Sequence, residues 1–165
     1  MNMREIYLAS NSKARKKILK DFGLKFKVLP SRAKETVSKG KLSYVDLVKK
    51  NALEKAQSVA ERIKRGIVIA ADTMVVQDKK IFGKPKNMRD ARIMLKRLSS
   101  GPQWLYTGLA VIKKAKGRKR LILDYEKTKV YMDRLSRVQI DPPHILSPHV
   151  FGDSIHRTCR LRGAR

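Results

Sequence analysis

A chain of 165 residues suits one domain, and its 42% hydrophobic content is enough to bury a core. Forty Lys plus Arg against fourteen Asp plus Glu leave a net charge of +26, which attracts nucleotides, nucleic acid or anionic membranes unless the lysines merely solvate helix faces, as in thermophile-like compositions. The apolar run within Arg4–Ser10 is too short for a signal peptide or a membrane span, and the one cysteine, Cys159, cannot form an intramolecular disulfide; a soluble, cytoplasmic protein with no membrane partner is expected.

In chain order, Glu5–Ala9 reads as a short buried strand, and Ser10-Asn11-Ser12 supplies N-cap residues for a helix whose Ile18, Leu19 and Phe22 face inward until Gly23 stops it. Phe26, Val28 and Leu29 predict a second strand before Pro30, and the polar stretch Ser31–Lys41, which holds Glu35, predicts a loop. Val48, Ala52, Ala56, Val59 and Ile63 recur at helical spacing within Ser43–Lys64, with Lys55 beside that stripe. Ile67–Ala71 has the continuous β-prone character of a central strand, which Asp72-Thr73 is expected to interrupt before Met74–Val76 resumes it; Gln77–Lys80 then turns into Ile81-Phe82.

Asn87 and Asp90 form a capping pair for a helix with Ala91, Leu95 and Leu98 inside, ended by Ser99–Pro102. Trp104–Ile112 predicts a strand, Lys113–Arg120 a basic loop, and Leu121–Met132 a returning antiparallel strand. Strands alternating with helices and closing on a hairpin imply an α/β fold with a mixed sheet. There is no repeat at solenoid spacing.

Chemistry concentrates at a few positions. Ser10, Ser12, Lys13 and Arg15 stand at a strand-to-helix junction, where unpaired N–H groups and the helix dipole favour an anion, although the same residues also make an ordinary helix start. Asp72 at the end of an apolar run needs a metal, a cation or hydrogen bonds if it is buried, unless it caps a turn. Glu35, Lys55 and Lys84 of Gly83-Lys84-Pro85 complete the acidic and basic groups expected of a metal–triphosphate site, which spacing alone does not assemble.

Leu8–Ser12 with Arg15, Asn51–Ala56, Ala71–Thr73, Gly83–Pro85 and Tyr106–Leu109 together resemble, in order and spacing, successive motifs of the Maf family of nucleotide pyrophosphatases, over about four-fifths of the chain. The resemblance implies an elongated mixed sheet flanked by helices, akin to the inosine triphosphate pyrophosphatases, often as a homodimer. It also implies hydrolysis of canonical or modified nucleoside triphosphates to the monophosphate and pyrophosphate with Mg²⁺ or Mn²⁺. By the same resemblance Asp72 is the catalytic carboxylate, Glu35 the acidic loop residue that shares the metal, Arg15, Lys55 and Lys84 the phosphate-binding cations, and Ala14 and Thr73 the positions linked to base choice. Where many members carry Pro-Arg-Arg this chain has Lys13-Ala14-Arg15, so one arginine is missing, Lys13 replaces it only in part, and the resemblance does not carry over a substrate preference.

Composition breaks near Gln139: all three histidines, the cysteine and three of the six prolines lie beyond it, and no lysine does. The family's Asp-Lys-Ala-Gly-like and Ile-Gln-Gly-like segments are not found, and Gln139 does not match that glutamine. Residues 1–137 are therefore expected to form the nucleotide pyrophosphatase domain, and 138–165 an atypical tail, frameshifted, replaced or a lineage-specific extension, poorly ordered, with prolines that interrupt regular elements. The tail's His144, His149, His156 and Cys159 fit no common zinc spacing. Two other readings remain: a basic nucleic-acid-binding module using Lys113–Arg120, disfavoured by 6% aromatic content and the lack of a nucleic-acid motif, and a catalytically impaired family member.

Overall fold

The computed structural model describes residues 5–83, 85–115 and 118–132, and the backbone of 159–161. Its elements run β1 (Ile6–Leu8), α1 (Lys13–Asp21), β2 (Lys27–Val28), α2 (Tyr44–Ala60), β3 (Gly66–Gln77), β4 (Lys80–Phe82), α3 (Met88–Leu98), β5 (Gln103–Ala115), β6 (Arg118–Met132) and β7 (Cys159–Leu161). Hydrogen-bonded neighbours follow the order β2-β1-β3-β5-β6-β7, with β4 on β3. β1 pairs in parallel with both β2 and β3, and β4 and β7 pair antiparallel with β3 and β6, so the sheet is mixed, as the alternation of elements implied. By contacts the chain falls into two compact units, residues 1–73 with 106–126, and 74–105 with 127–165, so that β3, β5 and β6 each contribute to both.

In the first unit, α1 begins where Ser12 accepts the Arg15 amide hydrogen and ends in a left-handed Gly23 at φ 70°. There the Gly23 amide donates to Lys20 and the Leu24 amide to Leu19, two bonds that satisfy carbonyls the helix leaves unpaired. Its expected apolar face is not inward: Ile18 is 51% and Phe22 78% exposed, and no residue of α1 is buried. Five basic residues in nine keep much of this helix in solvent, and of the three expected inward residues only Leu19 is half-buried.

α2 is capped by Ser43, which accepts the Asp46 amide hydrogen, and buries Leu47, Val48, Asn51, Ala52, Lys55, Ala56, Val59 and Ala60. The helix ends at Ala60 rather than Lys64, though Ile63 stays buried just beyond it. Lys55 lies within the buried face, not beside it, because Asn51, Lys55 and Val59 form a single row four residues apart. Ala52, Ala56 and Val59 pack on Val68 and Ala70 of β3 and on Ala110 and Ile112 of β5.

β3 is not interrupted at Asp72-Thr73. It alternates from Gly66 to Val76, so Asp72 shares the helix-facing side with Val68 and Ala70 while Thr73 points to the other. The aspartate breaks the apolar pattern without breaking the strand because α2 supplies its partners, described below. Small side chains bring helix and sheet close together. A Cβ on Gly108 would stand 2.3 Å from the Val48 carbonyl oxygen and 2.8 Å from the Lys49 nitrogen, so β5 at that point touches the α2 backbone itself.

In the second unit, Asp78 and Lys79 both take positive φ in the two-residue turn joining β3 to β4, a turn geometry matched to strand twist. Asn87 caps α3 by accepting the Asp90 amide hydrogen, while Asp90 accepts from the Lys86 amide rather than from Asn87. Leu95 and Leu98 pack with Met132, Val75 and Phe82.

β5 and β6 extend into the expected basic loop: Lys113–Ala115 and Arg118–Arg120 are strand residues, and two residues remain to join them. Extended backbone spreads the like charges of this segment better than a tight loop would. The tail also differs from expectation at Cys159–Leu161, which pairs with Val130–Met132 as β7. A three-residue segment without proline can use the backbone groups of an open strand edge whatever its side chains.

Gly108→Ala should lower stability by about 1–3 kcal/mol, the usual penalty for overpacking, because the clash is with backbone rather than a movable side chain. Gly101→Ala, whose Cβ would meet nothing nearer than Gln77 Nε2 at 3.7 Å, should be close to neutral. Urea unfolding of both variants checks the contrast, and equal stabilities would remove the close approach as a constraint.

Candidate active site

The site lies within the first unit, where the end of β1, the start of α1, the Glu35 segment, α2 and β3 contribute side chains. Asp72 is 7% exposed, and α2 occupies both of its oxygens: Lys55 Nζ donates to Oδ1 at 2.5 Å and Asn51 Nδ2 to Oδ2 at 2.9 Å. The turn-capping alternative for Asp72 is thereby excluded. Lys55 is itself 8% exposed, and its ammonium also contacts Glu35 Oε1 at 2.7 Å, so one buried cation bridges two carboxylates from separate segments. Glu35 keeps 45% of its side chain exposed, so the pair has one buried and one solvent-facing acid.

Asn51 uses its whole amide. Besides Asp72, Nδ2 donates to the Thr36 carbonyl at 3.0 Å, and Oδ1 accepts the Thr36 amide hydrogen at 3.0 Å.

On the opposite side of β3, Arg15 Nη2 donates to Thr73 Oγ1 at 3.4 Å and Nη1 to Ser10 Oγ at 3.3 Å, while Thr73 and Thr107 share a hydroxyl contact of 3.1 Å. Burial pushes the Arg15 guanidinium below its ordinary value, and the charges of Asp72 and Glu35 act in the other direction. Arginine remains protonated at any physiological pH, so this is a partly desolvated, permanent cation near two carboxylates. Ser10 also accepts the Ser12 amide hydrogen at 3.2 Å. Both serine hydroxyls here act as acceptors, which leaves each O–H able to donate to an anion. Helix geometry leaves the first amides of α1 without intrahelical carbonyl partners and puts the positive end of its dipole at the same place.

The structure therefore brings together Ser10, Ser12, Arg15, Glu35, Lys55, Asp72 and Thr73 of the expected residues. Lys13 is exposed on the first turn of α1 and Ala14 is half-buried there. Lys84 lies outside the described residues. Asn51 and Thr107 belong to the site without having been singled out. Their signals were an amide on the buried face of a long helix, a poor place for asparagine without a partner, and a threonine beside the glycine that touches α2.

Among the described residues no group of three or more His, Cys, Asp and Glu side chains is assembled, and no helix is long and apolar enough to cross a membrane. Glu35 and Asp72 are oxygen donors of the kind a Mg²⁺-like ion takes, one or two at a time, and here the Lys55 ammonium stands between them as their counter-charge.

An α/β protein with hydrogen-bond donors at a helix N-terminus and a lysine that bridges an aspartate of a neighbouring strand to a glutamate of an irregular segment is the class that fold and site define. The Maf-like protein family model matches residues 5–142, and the chain belongs to that family. A dTTP/UTP pyrophosphatase of Dictyoglomus thermophilum is 39% identical over 138 residues, spanning 84% of this chain and 70% of that protein. One from Bacillus anthracis is 40% identical over 139 residues, with the same two coverages of 84% and 70%. A solved nucleoside-triphosphatase, a dITP/XTP pyrophosphatase from Mycobacterium abscessus, superposes with a TM-score of 0.47 at 15% identity, covering 93% of this chain and 95% of that one.

Lys55→Ala should destabilise the protein by about 3–5 kcal/mol, because it strands a buried carboxylate without its cation. Asp72→Asn in the same background should recover part of that loss. Urea titration of the four forms measures the coupling, and strictly additive losses would mean that the pair is not energetically linked.

Proposed function

We propose that this chain hydrolyses nucleoside triphosphates to the monophosphate and pyrophosphate, in the cytoplasm, with dTTP and UTP as first candidates from the named activity of its relatives. The observation that carries the reading is the pairing of a buried, cation-bridged Asp72 with the amide- and guanidinium-rich start of α1 inside one unit. A substrate whose phosphates sit at one end and whose reacting phosphorus faces a carboxylate uses both halves of such a site. We assign the activity to residues 1–137.

In this reading the α1 amides, Ser10, Ser12 and Arg15 hold phosphate oxygens, and Asp72 accepts a proton from the water that attacks the α-phosphorus. A phosphorus–oxygen bond forms to that water, the bridging bond to the β-phosphate breaks, and pyrophosphate leaves with the electron pair. Lys55 holds the Asp72 carboxylate in place before the attack. Fixed cations beside charge that builds on phosphate oxygens are the dominant contribution in such reactions, with in-line positioning supplying much of the rest. Glu35 and Asp72 would hold Mg²⁺ or Mn²⁺, which would supply further positive charge to the phosphates. Thr73 and Ala14 are assigned to base choice.

Pyrophosphate release across a panel of canonical and modified triphosphates tests the reading, and the absence of turnover with all of them would refute it. Asp72→Asn should lose at least about a hundredfold in kcat while binding nucleotide, since it is nearly isosteric yet cannot take the proton. Turnover near the wild-type level would remove Asp72 from the base role. Arg15→Ala should weaken nucleotide binding, whereas Lys119→Ala, on exposed β6, should scarcely change it. Equal losses that scale with salt would point to diffuse charge instead of a site.

A further inference from the structure

Asn51 commits both amide hydrogens and its carbonyl oxygen to two other segments. One Nδ2 hydrogen goes to Asp72 Oδ2, the other to the Thr36 carbonyl, and Oδ1 takes the Thr36 amide hydrogen. Asn51 is 3% exposed; its bond to Asp72 is buried and its two bonds to Thr36 are part-buried. Thr36 adjoins Glu35 in a stretch without regular secondary structure, where backbone groups have no helix or strand partner of their own. A paired donor and acceptor on one amide therefore fixes the backbone beside Glu35 as a neighbouring strand would. The third bond ties the same amide to the carboxylate proposed to take the proton.

Lys55 stands one turn further along α2 and bridges the carboxylates themselves, but an ammonium is a point charge and imposes little direction. The planar Asn51 amide supplies the direction. We propose that Asn51 is the positioning residue that locks the Glu35 segment and the Asp72 carboxylate into one geometry, and that turnover depends on it although it touches neither water nor phosphate. This inference rests on the hydrolase reading above.

Two substitutions separate its contacts. Asn51→Asp keeps the acceptor for the Thr36 amide but loses both donations, whereas Asn51→Ala loses all three. Removing an interaction that orients a reacting group commonly costs ten- to a hundredfold, so both variants should lose about that much in kcat with KM for triphosphate changed less than about threefold. Amide hydrogen exchange adds a readout that general destabilisation would not reproduce. In the wild type the Thr36 amide should exchange about tenfold or more slowly than those of exposed Val37 and Ser38, after correction for intrinsic rates. That protection should persist in Asn51→Asp and vanish in Asn51→Ala.

Wild-type Thr36 exchanging as fast as Val37 would overturn the proposal without any variant, which keeps it testable should a variant fail to fold. Turnover lost in Asp72→Asn but retained in both Asn51 variants would overturn this inference alone. A wild-type chain with no triphosphate turnover would overturn the hydrolase reading and this one with it.

Discussion

The Lys55 ammonium, lodged between Asp72 and Glu35, is the interaction on which the site depends. A carboxylate at the centre of a β-strand facing a helix is tolerable only with a counter-charge and donors in fixed positions. α2 provides them from one row, lysine for charge and asparagine for direction, so the most costly residue in the strand is also the best held. The arrangement has a price in sequence freedom: the face of α2 that packs on β3 must carry two polar residues among alanines and valines.

That requirement propagates into the packing. The row of Lys55 and Asn51 meets Asp72 only because α2 lies close to the sheet, and it lies close because the intervening residues are small: Ala52 and Ala56 on the helix, Ala70 and Ala110 on the strands, and Gly108 where helix backbone and β5 touch. Larger residues would retain a hydrophobic core yet move the helix outward and pull its polar row from Asp72. Core composition and site geometry are in this sense one constraint. α1 follows a different logic, since its contribution comes from its first turn and from Arg15, and the rest of the helix is left exposed and basic.

Much of this was legible in the sequence because it is local. The Ser12 and Asn87 caps, the glycine that ends α1 and the turn before β4 follow from short-range chemistry, and the structure has each of them. The motifs indicated Arg15, Glu35, Lys55 and Asp72, which the structure brings together. What failed depended on contacts between distant segments. Asp72 was expected to break its strand, since nothing local shows that a helix row will pair it, and Lys55 was set beside the buried stripe because lysine is seldom inside one. Ile18 and Phe22 have the spacing of a core face, but burial requires something to pack against, which spacing does not supply. β7 is a backbone pairing with distant β6, which the local pattern of three residues does not show.

The central claim is that water attacks the α-phosphorus of a bound nucleoside triphosphate beside Asp72. Hydrolysis in ¹⁸O-labelled water, with products resolved by mass spectrometry, tests this most directly. The account predicts that the label appears in the nucleoside monophosphate, that pyrophosphate remains unlabelled, and that both products disappear together in Asp72→Asn. Label in pyrophosphate, release of orthophosphate as the primary product, or undiminished labelling in the Asp72→Asn variant would contradict it.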